Sequence, residues 1–105
     1  PVVIGHGTQI GRGTRIIGPT VIGSRCTIGP ECQIEGVVMW DGNTIEEGST
    51  LRNCVLGHNN RIGERSHIID GTIISDECQI GQENRLERGI RIWPGTTLGD
   101  RAVSF

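Results

Sequence analysis

The chain has 105 residues, which is enough for one domain with a single core. Its formal net charge is −2 with both signs mixed along the sequence. No basic block or run of ~20 apolar residues occurs, so the sequence indicates neither nucleic-acid binding nor a membrane span. Glycine is frequent, with 17 residues, and aromatic residues make up 3% of the chain, so the core must be built from isoleucine and small residues.

A six-residue period runs along the chain, beginning with the units IGHGTQ and IGRGTR. The first position is always Ile, Leu or Met, and in chain order it is held by Ile4, Ile10, Ile16, Ile22, Ile28, Ile34, Met39, Ile45, Leu51, Leu56, Ile62, Ile68, Ile74, Ile80, Leu86, Ile92 and Leu98. The fifth position is mostly small, and it is assigned to Thr8, Thr14, Thr20, Cys26, Cys32, Val38, Asn43, Ser49, Val55, Asn60, Ser66, Thr72, Cys78, Asn84, Ile90, Thr96 and Ala102. Large residues at one position and small residues at another are typical of a narrow interior, so both columns are predicted to face inward.

Each unit is predicted to form a short strand followed by a corner, because Ile, Val and Thr favour extended backbone and Gly, Asn and Asp tolerate positive φ. Longer similar segments begin at Gly18, Glu35, Arg52, Asp70 and Arg88, with spacings of 17, 17, 18 and 18 residues. Three units therefore make one coil, and two units, 34–38 and 51–55, are one residue short. The pattern predicts an all-β parallel β-helix of about six coils, roughly 25–30 Å tall. We expect one domain over residues 1–105, as a piece of a longer protein whose preceding domain or cap covers the Pro1 end.

The histidines favour a structural interpretation. His6 and His58 are predicted to lie three coils apart, ~14 Å by strand spacing, and His67 near another corner, so no zinc site within one chain is expected. Hexapeptide acyltransferases carry a catalytic histidine beside a bulging loop, whereas this repeat runs without an insertion.

The cysteines and inward asparagines are also interpreted as structural. Four thiols, Cys26, Cys32, Cys54 and Cys78, are predicted to be structural and unpaired in a reducing cytoplasm, and the three at the fifth position are predicted to act as small apolar fillers. Three inward residues, Asn43, Asn60 and Asn84, are interpreted as structural, and the first two, on one face in adjacent coils, are predicted to bond to each other and to corner backbone.

A set of apolar residues is predicted to lie outward or at corners on the face that carries the two short units: Ile17, Val21, Val37, Ile69 and Ile73. An exposed apolar stripe usually marks a contact surface, so this face is predicted to pack on another subunit or on a catalytic domain. Trp40 and Trp93, at the second position of units on a neighbouring face, are predicted to extend it. The competing interpretation is a scatter of isolated surface hydrophobics, which are common.

The stretches VMWDG (38–42), NCVLG (53–57) and RIWPG (91–95) lie among strict hexads. In these stretches the chain resembles the C-terminal β-helix of nucleotidyltransferases that make nucleotide sugars, above all that of mannose-1-phosphate guanylyltransferases. The resemblance covers essentially the whole chain, and it implies a left-handed coil and a parent protein in nucleotide-sugar biosynthesis. It also implies that this segment serves oligomerisation, support of a catalytic domain, or regulation by a bound ligand.

In that family the chemistry lies in an N-terminal domain with a GxGxRL signature and metal-binding aspartates, and none of these motifs occurs in this sequence. No catalytic, cofactor-binding or metal-binding residue is therefore assigned to this segment, and Mg²⁺ is expected in the parent's catalytic domain. The expected partners are further copies of the chain, its own N-terminal catalytic domain, or both, in the cytoplasm.

Two other interpretations stay open. Subunits of the eukaryotic translation-initiation nucleotide exchange factor also combine a nucleotidyltransferase-like domain with hexad coils, which would make this segment a protein-interaction module. A free-standing acyltransferase or carbonic-anhydrase-like trimer is the third class. A catalytic domain upstream in the parent gene would separate the first two classes from the third.

Overall fold

The computed structural model describes residues 1–104. In that part of the chain it contains seventeen short strands and no helix. The strands are β1 (Val2–Ile4), β2 (Gln9–Ile10), β3 (Arg15–Ile17), β4 (Thr20–Ile22), β5 (Thr27–Ile28), β6 (Gln33–Glu35), β7 (Val38–Met39), β8 (Thr44–Ile45), β9 (Thr50–Arg52), β10 (Val55–Leu56), β11 (Arg61–Ile62), β12 (His67–Ile68), β13 (Ile73–Ile74), β14 (Gln79–Ile80), β15 (Arg85–Leu86), β16 (Arg91–Ile92) and β17 (Thr97–Leu98).

Every third strand joins the same parallel sheet. Sheet 1 contains β1, β4, β7, β10, β13 and β16, sheet 2 contains β2, β5, β8, β11, β14 and β17, and sheet 3 contains β3, β6, β9, β12 and β15. The chain therefore winds through five complete coils and two strands of a sixth, within principal dimensions of 31 × 24 × 20 Å. The predicted parallel β-helix with three units per coil is confirmed, and the number of coils is slightly below the expected six.

The first-position residues fill the interior, as predicted. The twelve that lie between Ile22 and Leu86 are each at most 2% exposed. They form one continuous core with the buried cysteines, so each coil stacks its aliphatic side chains on those of its neighbours.

Both short units depart from the predicted pattern. Val37 and Cys54 point inward, at 0% and 3% exposure, whereas Val38 and Val55, assigned to the inward fifth position, are 41% and 37% exposed. Each short unit lacks a residue at its corner, before the fifth position. The small inward residue of a short unit is therefore the one two places before the next first-position residue: Val37 before Met39, and Cys54 before Leu56.

The fifth-position side chains bond corner backbone across coils. Asn43 donates from Nδ2 to the carbonyl oxygens of Trp40 and Gly57, at 2.8 and 2.7 Å, and its Oδ1 accepts the Asn60 N–H at 2.9 Å. Asn60 Oδ1 in turn accepts the Cys78 N–H at 2.8 Å. The predicted bonds of these amides to corner backbone are confirmed, whereas within residues 1–104 no bond joins the two amide side chains. They satisfy backbone groups that strands of two residues leave unpaired.

The corners hold positive φ at many residues other than glycine. Ten non-glycine residues have φ between 50 and 60°, and seven of these are Arg or Glu rather than the expected Asn or Asp. In eight of the ten, all but Asp70 and Arg88, the backbone N–H donates to a corner carbonyl in the preceding coil, as in Glu83 to Glu64, at 2.8 Å, and Arg101 to Gln82, at 2.9 Å. These bonds offset the modest cost of the left-handed conformation for an L-residue.

One corner also carries a ladder of ion pairs. Glu83 accepts hydrogen bonds from Arg65 and Arg101, at 3.0 Å each, in the coils on either side. Hydrogen bonds from Arg101 and then Arg65 hold the pKa of the Glu83 carboxyl below its ordinary value, and the same carboxylate raises the pKa of Arg65.

The two ends of the coil differ. At the first coil Ile4 and Ile10 are 42% and 39% exposed, because no strand lies beyond β1 and β2. At the other end Val103 packs against the core, accepts the Arg85 N–H at 2.7 Å and donates to Asn84 Oδ1 at 2.9 Å. Within the described residues, Val103 therefore partly covers the last coil, and no residue covers Ile4 and Ile10 in the first.

Candidate interaction surface

The outward side of sheet 1 is an aliphatic ladder. Its central outward residues are in register from strand to strand, and in order they are Val3, Val21, Val38, Val55, Ile73 and Arg91. The five aliphatic members are 58, 44, 41, 37 and 37% exposed. We call these five residues the aliphatic ladder.

The equivalent columns on the other two faces are polar. On sheet 2 the column is Gln9, Thr27, Thr44, Arg61, Gln79 and Thr97, and on sheet 3 it is Arg15, Gln33, Thr50, His67 and Arg85. The three sheets have the same backbone geometry, so the fold itself does not require one aliphatic face.

Trp40 and Trp93 lie at one edge of the ladder, where the chain leaves sheet 1 after β7 and β16. Trp40 is 53% exposed and stacks on His58, with ring centroids 5.8 Å apart and an interplanar angle of 16°. Trp93 is 79% exposed and lines a shallow recess of about 290 Å³ together with Ser75 and Arg91. Both indoles present apolar area beside the ladder. They lie at the edge of sheet 1 itself, whereas the prediction placed them on a neighbouring face.

The corner that carries His58 is fixed by an acidic side chain in the next coil. Asp76 Oδ1 accepts the His58 backbone N–H at 2.7 Å and lies 3.3 Å from His58 Nδ1. The backbone hydrogen bond from His58, followed by the bond from its ring, lowers the pKa of the Asp76 carboxyl. Asp41 accepts the Ser24 N–H in the same way, at 2.9 Å.

Four exposed charged residues lie at the corner that joins sheet 3 to sheet 1: Glu35, Arg52, Asp70 and Arg88. Glu35 and Arg52 end β6 and β9 on the outward side of sheet 3 and are register neighbours within the chain, whereas Asp70 and Arg88 lie one residue further along, in the corner itself. Within residues 1–104, Glu35, Arg52 and Asp70 form no ion pair, whereas Arg88 lies 3.8 Å from Glu87.

The predicted contact residues divide into two groups. Ile17, Val21, Ile73, Trp40 and Trp93 are exposed, and their role in a contact stays a prediction. The other two offer no exposed surface: Val37 faces inward, at 0% exposure, so its predicted placement is wrong, and Ile69 lies at a corner as predicted but is covered, at 3% exposure.

The errors at Val37 and Ile69 have different causes. Val37 faces inward because of the short unit described above. Ile69 lies in register between Arg52 of the preceding coil and Glu87 of the following coil, and these two longer side chains flank it. Ile17, in the first coil, has a long side chain beside it on one side only, that of Glu35. The predicted contact set lacks three ladder residues, Val3, Val38 and Val55; the length of each short unit, read backward, identifies the last two.

The described residues offer little else for chemistry. Residues 1–104 contain no group of three or more His, Cys, Asp or Glu side chains placed to hold a metal ion, and no helix in them could cross a membrane. His67 lies outward in a strand rather than near a corner, and burial, followed by Arg85 and Arg52, lowers its pKa. The four cysteines are buried and unpaired, and burial raises the pKa of the Cys54 thiol to about 12.

Three parallel sheets wound from six-residue units define a hexapeptide-repeat protein of the left-handed β-helix class. Residues 1–103 match the family model of the EIF2B subunit epsilon LbH (left-handed β-helix) domain, and the chain belongs to that family. No curated protein matches the sequence significantly.

A solved structure with a similar fold is that of a mutant perosamine N-acetyltransferase from Caulobacter crescentus, in complex with CoA and GDP-perosamine. It is 17% identical to this chain, with a TM-score of 0.64, over 95% of this chain and 48% of that one. The chain thus spans about half the length of this neighbour, and the likeness shows the fold alone.

Proposed function

We propose that this domain is an assembly module, which holds copies of its parent protein together through the aliphatic ladder of sheet 1. The contrast between the three faces supports the proposal most strongly. Five β-branched residues in register remain exposed on one face, while the same positions on the other two faces are polar. Contiguous exposed apolar area of this kind is typical of a protein–protein contact.

For the parent we propose a cytoplasmic nucleotidyltransferase-type protein whose Mg²⁺-dependent catalytic part is encoded by other sequence. The stretches that resemble mannose-1-phosphate guanylyltransferases support a role in nucleotide-sugar synthesis. The match to EIF2B subunit epsilon favours a second candidate, a protein-interaction subunit of the exchange-factor type. Pyrophosphate release by the full-length parent from GTP and mannose 1-phosphate would support the first candidate, and its absence alongside nucleotide-exchange activity would support the second.

The assembly role is tested by the mass of the chain in solution. We expect sedimentation equilibrium to show a concentration-dependent oligomer, and the variant Val38→Asp/Val55→Asp to be monomeric, because each added carboxylate would have to be desolvated in the contact. The matched control is Thr27→Asp/Thr44→Asp, which adds the same charges in register on sheet 2.

A wild-type chain that is monomeric at millimolar concentration would contradict the assembly role. So would an oligomer that persists in the ladder variant and dissociates in the control. Circular dichroism of both variants would establish that each is folded before the masses are compared.

A further inference from the structure

We infer that Trp40, His58 and Asp76 form a proton-dependent switch at the edge of the aliphatic ladder, and that protonation of His58 tightens the contact made there. The inference rests on the proposed assembly role and adds a way in which that contact is regulated. It starts from the order of the three side chains: an indole, an imidazole and a carboxylate lie in successive coils, with the imidazole in the middle.

Gly57 allows the three side chains to meet. The register of β7 and β10 places it beside Trp40, so no side chain separates the indole from the imidazole of His58. A Cβ at position 57 would also collide with Asp76 Oδ1, the atom that accepts the His58 backbone N–H. The imidazole is therefore held between Asp76 Oδ1, which is 3.3 Å from its Nδ1, and the Trp40 ring, whose centroid is 5.8 Å away.

The charges beside His58 are mostly negative. In the following coil they are Asp76 and the next residue, Glu77, whose N–H donates to the His58 carbonyl at 2.8 Å. In the preceding coil the charge is that of Asp41, which pairs with Arg25 at 3.4 Å. Hydrogen bonds from the backbone and then the ring of His58 lower the pKa of the Asp76 carboxyl, so Asp76 stays ionised over the range, roughly pH 5 to 8, in which histidine changes its charge.

Protonation strengthens both contacts of the imidazole. Its hydrogen bond to the Asp76 carboxylate becomes a bond between two opposite charges, which is stronger than one between an ion and a neutral ring. Its positive charge also attracts the face of the Trp40 indole, because the ring centroids lie within the ~6 Å over which a cation and an aromatic ring interact. The indole is therefore held in one position when His58 is charged.

The switch lies where a partner on the ladder would reach it. Trp40 follows the ladder residue Val38 by two positions, and His58 follows Val55 by three. With His58 neutral, a contact that covers this edge removes water from the Asp76 carboxylate without supplying an opposite charge, whereas with His58 protonated it covers a neutral pair. An indole that is already fixed also loses less freedom on binding. Both effects make the contact tighter at lower pH.

The fluorescence of Trp40 reads the switch directly. The chain has two tryptophans, so Trp93→Phe leaves Trp40 as the single indole. Its emission should fall as the pH is lowered from roughly 8 to 5.5, because a protonated imidazole in contact with an indole quenches it. His58→Gln should abolish the change, and the matched control His67→Gln, on sheet 3, should retain it.

Sedimentation equilibrium at the same two pH values measures the effect on assembly. The Kd of the oligomer should be about fivefold lower at the acidic pH for the wild type and for His67→Gln. It should be equal at both pH values for His58→Gln. Asp76→Asn should reduce the pH dependence, since the amide oxygen can still accept the His58 backbone N–H but carries no charge. Circular dichroism at each pH checks that every variant is folded.

The outcomes separate the switch from the assembly role. A pH dependence of both Kd and Trp40 emission that His58→Gln removes and His67→Gln retains supports the inference. A Kd that does not change with pH, or whose change persists in His58→Gln, overturns the inference and leaves the assembly role standing, provided that Val38→Asp/Val55→Asp still dissociates the oligomer. A wild-type chain that is monomeric at millimolar concentration at both pH values overturns both.

Discussion

Replacing Asn43 with alanine should destabilise the domain more than replacing Asn60, although the two side chains occupy the same corner column in adjacent coils. Both are buried, at 0% and 1% exposure, so the cavity left by each change is similar. The two amides differ in their hydrogen bonds. Asn43 makes three, two from Nδ2 and one at Oδ1, whereas Asn60 makes one at Oδ1 and its Nδ2 has no partner within residues 1–104.

The expected difference follows from that count. A buried hydrogen bond contributes about 1 kcal/mol, and each partner left unpaired adds its own desolvation cost. Asn43→Ala leaves the Gly57 carbonyl and the Asn60 N–H without their hydrogen-bond partners. Asn60→Ala leaves only the Cys78 N–H without its partner, and it also removes a buried amide NH2 group that has no partner within residues 1–104. We expect Asn43→Ala to cost at least about 2 kcal/mol more, or roughly 10 °C in Tm for a domain of this size.

Urea unfolding followed by circular dichroism measures both variants on one scale, and equal m-values would show that the same unit unfolds. The free energies of unfolding should rank as wild type, then Asn60→Ala, then Asn43→Ala. Equal losses, or a larger loss for Asn60→Ala, would refute the assignment of these hydrogen bonds as the source of the corner's stability.

Three further results are expected. Val37→Ala should cost about 2 kcal/mol in urea unfolding of the single chain and Val38→Ala clearly less, because Val37 is 0% and Val38 41% exposed, and equal costs under monomeric conditions would contradict the inward placement of Val37. Glu83→Gln should lower Tm at pH 7, and its difference from wild type should shrink as the pH falls below 4.5, since a carboxyl with a depressed pKa stabilises the fold above its ordinary value and loses that effect as the pH falls through the folded value; a difference in Tm that does not shrink with falling pH would point to packing instead. The Cys54 thiol, with its pKa near 12, should react with iodoacetamide at pH 8 only after unfolding, and rapid modification of the native chain would show that it is accessible.

The β-helix could be predicted from the sequence because its main determinant is local. One aliphatic residue in every six fixes which side of each strand faces inward, and all the middle members of that column, from Ile22 to Leu86, are buried. The asparagine column could be assigned for the same reason, since its position in the unit places each amide beside corner backbone.

The candidate surface was harder to predict because it depends on a single residue of register. A one-residue deletion at a corner exchanges the inward and outward positions at the end of the short unit, so Val37 and Val38 trade places, and this error accounts for two of the three ladder residues, Val38 and Val55, that were not predicted. The arginines and glutamates at positive φ were not predicted either. Their conformation is set by hydrogen bonds to the preceding coil, which residue preferences do not describe.

The stacking of the coils gives the 105-residue chain, taken alone, an order in which it opens. Each coil is held only by its neighbours, and within residues 1–104 the side chains of Ile4 and Ile10 are substantially exposed, whereas Val103 partly covers the last coil. In this chain alone, amide hydrogens of β1 to β3 should therefore exchange with solvent through local fraying, well before those of the central strands, which open only with the whole domain. Val3 and Val21 lie in this part of the aliphatic ladder, so any contact made there, by a second copy or by sequence that precedes residue 1, would slow the exchange of amides that are otherwise the fastest in the sheet.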